Sequence, residues 1–248
     1  MTRGEPARQM GLVRGDVERR VRTAEEAILE LAGAYRYLGR TFTFSFSDSL
    51  DRQVSEILLA LSDSLRGDND ARIMQAISDA EADLGDAEDY ANRTQGGKDR
   101  TERYDWWCSR LRDSLEAWAA ACFACGLGAA GALSEMRRWR KAPPGSGIWA
   151  RSGVPAPAGL GSGLSSDVVE GLTLTGQNSI NEAFQFAALA ELAREPGVTG
   201  YRVVRGSSFD CGVCDGLCAS VHPLSEICLP AHPRCMCSIV PVFGELEE

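Results

Sequence analysis

The chain has 248 residues, 44% hydrophobic and 25% charged, so it is long enough to bury a core in one or two domains. Its formal net charge of -9 and pI of about 4.9 argue against a surface that grips nucleic acid, since phosphate binding rests on a basic footprint. Nor is positive charge reserved for the C-terminal part, where residues 146–248 hold 5 Arg or Lys against 11 Asp or Glu.

Met1 to Arg22 is polar with no apolar run, so no secretory signal is expected there, and residues 1 to about 19 read as a loose arm. Thr23-Ala-Glu-Glu26 has the form of a capping box, in which hydroxyl and carboxylate satisfy each other's backbone N–H groups. Val21, Ile28, Leu31, Tyr35 and Leu38 then recur at helical spacing. A second helix should follow the turn at Ser47 to Ser49, with Leu50, Val54, Ile57, Leu58, Leu61 and Leu65 as its apolar stripe. Arg66-Gly-Asp-Asn-Asp70 reads as its end and as the cap of a third helix, through Ile73, Met74, Ile77 and Leu84.

Gln95-Gly-Gly-Lys98 predicts a break. Helix should then run from Thr101 to Lys141 with a kink or split near Gly126, Gly128 and Gly131. Within it, Ala117 to Leu133 is uncharged over 17 residues, short of the roughly 20 that span a bilayer, and reads as a close helix–helix contact. From 142 to 166 Pro and Gly make up 10 of 25 residues, too many for regular structure, which suggests a linker or strap. The expected organisation is a helical domain at 1–141, the strap at 142–166 and a C-terminal module at 167–248. In that module Ser179-Ile-Asn-Glu182 resembles another capping box, opening a helix through Phe184, Ala187, Leu189 and Leu192 that Pro196-Gly197 stops. Tyr201–Val204 and Ser238–Val242 are β-type runs. There is no internal repeat. The fold class is α+β, mainly α-helical, with long helices ahead of a small β-containing module.

Chemistry concentrates in that module. Six of the nine cysteines and both histidines lie between positions 211 and 237. Cys211-x-x-Cys214 places two sulfurs on one side of a tight turn, and His232-Pro-x-Cys235-x-Cys237 answers it 17 residues later. Thiolates and imidazoles so paired suit a tetrahedral zinc ion in a closed, structural shell. Four of Cys211, Cys214, His232, Cys235 and Cys237 would supply it, with Cys211, Cys214, His232 and Cys235 favoured. Cys218, His222 and Cys228 are alternative ligands. The competing reading is a set of buried or disulfide-bonded cysteines, although an odd cysteine count without an export signal disfavours a disulfide framework and suits a reducing cytoplasm. Cys108, Cys122 and Cys125 read as small core hydrophobes.

Tyr201-Arg-Val-Val-Arg-Gly-Ser-Ser-Phe-Asp-Cys-Gly-Val-Cys-Asp-Gly216, followed by Leu229-Pro-Ala-His-Pro-Arg-Cys-Met-Cys-Ser-Ile-Val-Pro-Val242, resembles the C-terminal signature of phage minor head proteins of the Mu F-like head morphogenesis family. The likeness covers roughly residues 160 to 243 and includes the helix carrying Asn181-Glu-Ala183. It departs at Met236, where members usually carry Arg, and in the additional Cys218 and Cys228. The resemblance implies a virion protein at the portal vertex or capsid interior, present in several copies and passing through host cytoplasm during assembly. Its implied partners are the portal protein, the major capsid protein and genomic DNA, with no membrane.

The competing class is a stand-alone zinc module that binds nucleic acid or a regulator, for which Arg137-Arg-Trp-Arg-Lys141 is the best basic and aromatic cluster. A helix C-terminal turn explains that cluster more simply. Arg205-Gly206, Ser207-Ser208 and Glu245-x-Glu247 loosely resemble elements of ADP-ribosyltransferases, but they crowd around the metal motif. With no phosphate loop and no Ser/His/Asp set, no catalytic residue is expected and the chain does not read as an enzyme.

Overall fold

A computed structural model describes residues 4–35, 42–78, 84–93, 97–141, 147–156, 165–206, 210–232 and 234–244. Leu38, Gln95, Gly96, Pro233, Glu245, Glu247, Ser207, Ser208 and residues 142–146 and 157–164 of the expected strap lie outside them. The architecture is mostly helical, with a small antiparallel sheet near the C-terminus. The helices are α1 (Gly4–Ala34), α2 (Asp48–Ala76), α3 (Leu84–Ala91), α4 (Arg100–Ala124), α5 (Ala129–Lys141), α6 (Ile148–Ser152), α7 (Ser166–Leu192) and α8 (Gly212–Cys218). The strands are β1 (Val198–Val204), β2 (Val221–His222) and β3 (Ser238–Phe243), in the order β2-β1-β3.

Three expected helix boundaries are corrected. The N-terminal segment is no loose arm: α1 starts at Gly4, and Val13, Val17, Val21 and Ile28 make a buried stripe that runs through the supposed cap. Thr23 Oγ1 instead donates to the Arg19 carbonyl 3.1 Å away, the backward bond of a hydroxyl inside a helix. The same happens in α7, where Ser179 Oγ donates to the Thr175 carbonyl at 2.9 Å. α2 likewise passes through Arg66 to Asp70 and stops at Ala76. Its loop-like Asn69 is buried there, donating to the Gly176 carbonyl at 3.1 Å and accepting from Arg100 Nη1 at 3.3 Å. Arg100 also pairs with Asp70 at 2.5 Å. Polar residues that look like a turn in sequence are here helix-to-helix contacts.

The chain divides into two compact units built from separated segments. One comprises Arg14–Arg66 and Glu102–Thr173. Leu50, Val54, Leu111, Leu115 and Trp118 are buried in it, so the predicted stripe of α2 is core. The predicted split falls between α4 and α5, where Gly126 takes φ 78° and the two axes bend by 116°. Among the described residues no single helix is long and apolar enough to cross a membrane. The uncharged run instead packs closely: a Cβ on Gly33 would stand 2.6 Å from the Ala129 Cβ. Pro/Gly-rich sequence does not prevent structure at 148–152, because Ile148 is fully buried and Trp149 packs 5.5 Å from Trp118 and 6.1 Å from Trp139.

The other unit comprises Met1–Val13, Gly67–Thr101 and Leu174–Glu248, and contains the sheet. β1 pairs with β3 from Val198↔Phe243 to Val204↔Ser238, and with β2 through Tyr201↔His222. Tyr201 and Val203 point inward onto a cluster with Leu189, Leu229, Cys214, Cys235 and Cys237. Sulfur atoms thus make up much of this small core.

In the first unit, burial pushes the Cys108 and Cys122 thiols from 9.0 up to about 12. Unfolded thiols ionise near the ordinary value while these stay protonated, so their contribution to stability is complete below about pH 9 and is lost as pH rises towards about 12. Urea midpoints should fall across that window, and a Cys108→Ala, Cys122→Ala double variant should show a shallower fall. A second check concerns Gly171, where an added Cβ would lie 1.9 Å from the Trp107 ring. Gly171→Ala should lower stability by about 1–3 kcal/mol, read as a lower urea midpoint at unchanged slope.

Candidate metal centre

Cys211 is the residue that precedes α8, with extended backbone, and its carbonyl accepts from Asp215 N–H at 2.9 Å. That turn aims the backbone N–H groups of Val213 and Cys214 at the Cys211 sulfur. Together with the Cys214 side chain and His232, they hold its thiol below the ordinary value. Cys214 lies one helical turn further in and is buried, which raises its thiol strongly. Asp215 is spent on an ion pair with Arg205.

The second arm folds back over α8. Cys235 N–H donates to the His232 carbonyl at 3.0 Å, closing a turn in which Arg234 takes φ 64°. A non-glycine residue in that region costs about 1–2 kcal/mol, so the turn is held against a local preference. Cys235 and Cys237 are both buried, and the segment that carries them leads directly into β3.

These arms bring the sequence-predicted donors together in two triads that share Cys214. Cys211, Cys214 and His232 form one; Cys214, Cys235 and Cys237 form the other, with the donor atoms of each within 4.8 Å of one another. His232 Nε2 lies 3.3 Å from Cys211 Sγ and 3.1 Å from Cys214 Sγ, and Cys214 Sγ lies 3.9 Å from Cys235 Sγ. Around one tetrahedral zinc, sulfurs stand about 3.8 Å apart and a sulfur and imidazole nitrogen about 3.6 Å. The donor set therefore fits a soft or borderline divalent ion.

Cys218, His222 and Cys228 stand outside both triads. His222 belongs to β2, stacks on Tyr201 with centroids 5.3 Å apart, and its Nε2–H donates to the Leu217 carbonyl at 2.8 Å. Cys228 N–H donates to the Tyr201 hydroxyl at 3.3 Å, and that hydroxyl donates to the Glu226 carbonyl at 2.6 Å. Cys218 packs against the edge of the sulfur core, where burial raises its thiol. Cys108, Cys122 and Cys125 belong to no donor cluster among the described residues.

Two groups essential to the geometry are not donors. Gly206 runs so close to the second arm that a Cβ would stand 1.7 Å from the Met236 carbonyl oxygen. Arg93 links the fully buried Glu182, at 3.2 Å, to the Pro230 carbonyl at 3.4 Å. Nothing in the sequence signals either contact, since Gly206 stands five residues ahead of Cys211 and Arg93 lies far upstream of both arms.

Comparison with family models, with curated proteins and with solved structures gave no match. The centre is defined by its chemistry: a partly buried Cys/His cluster with donors placed as a metal site needs them, in a mostly helical protein. Gly206→Ala should push the 236–237 backbone away and destabilise the C-terminal module. Hydrogen exchange should show faster amide exchange across 235–240 and unchanged protection in α4.

Proposed function

We propose that four of Cys211, Cys214, His232, Cys235 and Cys237 hold a structural zinc ion, and that the chain is a phage minor head or portal-associated protein acting in head morphogenesis. Cys214 is a ligand in this reading, because both triads pass through it. The observation that carries the reading is the meeting, in a single core, of the two cysteine-bearing arms that make up the head-protein-like signature. Those arms are separated by 17 residues, and the folding of α8 and the His232–Cys235 turn supplies their proximity. Bound zinc would supply folding energy to a module whose sheet, among the described residues, has three strands. No general base is required of such a site, and the reading is structural rather than enzymatic.

The nucleic-acid alternative has less behind it. Arg137 pairs with Glu26 at 3.1 Å and Arg138 with Glu135 at 2.9 Å, so part of the basic cluster is already balanced, in a chain of net charge -9. Portal and capsid contacts are argued from the resemblance, as are localisation in the virion and contact with packaged DNA.

Metal analysis on the purified chain should give one zinc per molecule. Cys214→Ser should lose it, whereas Cys218→Ser should keep it. On co-expression with a portal protein from the same genome, the wild type should elute with the portal ring and Cys214→Ser should not. A metal-free wild type would sink the zinc reading. A zinc-loaded chain that never joins the ring would sink the portal assignment alone.

A further inference from the structure

α7 presents polar side chains to the metal arm where a core-facing helix would ordinarily present apolar ones. Asn178, Asn181 and Gln185 are spaced i, i+3 and i+7, which puts them on one helix face. All three are buried. Asn181 Nδ2 donates to the Cys235 carbonyl at 2.7 Å and Gln185 Nε2 to the Cys237 carbonyl at 3.1 Å. Gln185 Nε2 also reaches Asn181 Oδ1 at 3.3 Å, tying the two amides together. Asn178 Oδ1 accepts from Arg234 N–H at 3.3 Å, and Arg234 is the residue held at positive φ between His232 and Cys235. Each of the three amides therefore grips the backbone of a donor cysteine, or of the turn joining two donors.

We infer that Asn178, Asn181 and Gln185 are positioning residues of the metal centre, an outer layer that fixes Cys235 and Cys237 before an ion arrives. The inference rests on the zinc reading above and adds the residues that set its affinity and exchange rate. The physical reason is preorganisation. A segment whose described residues between Ala231 and Cys237 belong to no strand or helix would otherwise lose its backbone freedom when the metal binds, and that loss would subtract from affinity. Main-chain carbonyls buried in a sulfur-lined core also need donors, and α7 is where they find them. Outer-layer partners of this kind tune metal affinity by about 10–100-fold in known sites.

The test uses the full chain loaded with zinc. Asn181→Leu and Gln185→Met keep side-chain volume and helix propensity while removing the donors. Both variants should still bind one zinc. They should release it to a chromophoric chelator about 10–100-fold faster than the wild type. The thermal stabilisation gained on adding zinc should shrink, because the melting temperature of the metal-free variants should fall by less than that of the zinc-loaded ones. Gln185→Met alone, with helix content checked by circular dichroism, covers the case in which the Asn181 variant fails to fold. Release at the wild-type rate, or equal loss of stability with and without zinc, would overturn the inference and leave the zinc reading standing. A wild type that takes up no zinc would overturn both.

Discussion

The C-terminal module depends on one arrangement: sulfur atoms that are at once its hydrophobic core and its candidate metal donors. Cys214, Cys235 and Cys237 pack with Leu189, Tyr201, Val203 and Leu229, so the same burial that stabilises the module brings its donors together. Burial also disfavours thiolates, as the raised Cys214 thiol shows. A cation placed among them would reverse that penalty, since a coordinating thiol is deprotonated outright. The helix start at Cys211 works in the same direction, with backbone N–H groups aimed at sulfur.

α7 connects this core to the rest of its unit. Leu189 is buried in the sulfur cluster, on the face that carries Asn181 and Gln185. Glu182, fully buried on that face, has its charge met by Arg93, and Arg93 in turn holds the Pro230 carbonyl. Further along, Gln177 donates to the Met10 carbonyl at 3.0 Å and Asn69 to the Gly176 carbonyl. The unit is thus held by a chain of side-chain amides binding backbone carbonyls, with directional demands that apolar packing does not make. The segment carrying Cys235 and Cys237 is one more stretch of backbone bound by this scheme.

The donor pairs were legible in the sequence because chain spacing alone sets them: Cys-x-x-Cys makes a turn that aims two sulfurs one way whatever surrounds it. β1 and β3 and the split at Gly126 were legible for the same reason, since β-type runs and a left-handed glycine are local properties. The helix starts at Thr23 and Ser179 were misread because a capping box and a mid-helix hydroxyl share the same residues. Only the stripes that continue upstream, Val13 to Val21 in α1 and Val168 to Leu172 in α7, separate the two.

By itself, then, the sequence determined the composition of the centre, the mainly helical class and the position of the sheet, all of which follow from patterns a few residues long. Tertiary structure decided which donors meet. Cys214 became common to two triads, while His222 was taken into β2 and Cys228 into the Tyr201 hydrogen bonds. It also decided that Asn178, Asn181 and Gln185 bind the backbone of Arg234, Cys235 and Cys237, and that separated segments of the chain share one unit. The physical reason is range: spacing fixes where a side chain can point, whereas its partner comes from a segment as many as 167 residues away, between Met10 and Gln177.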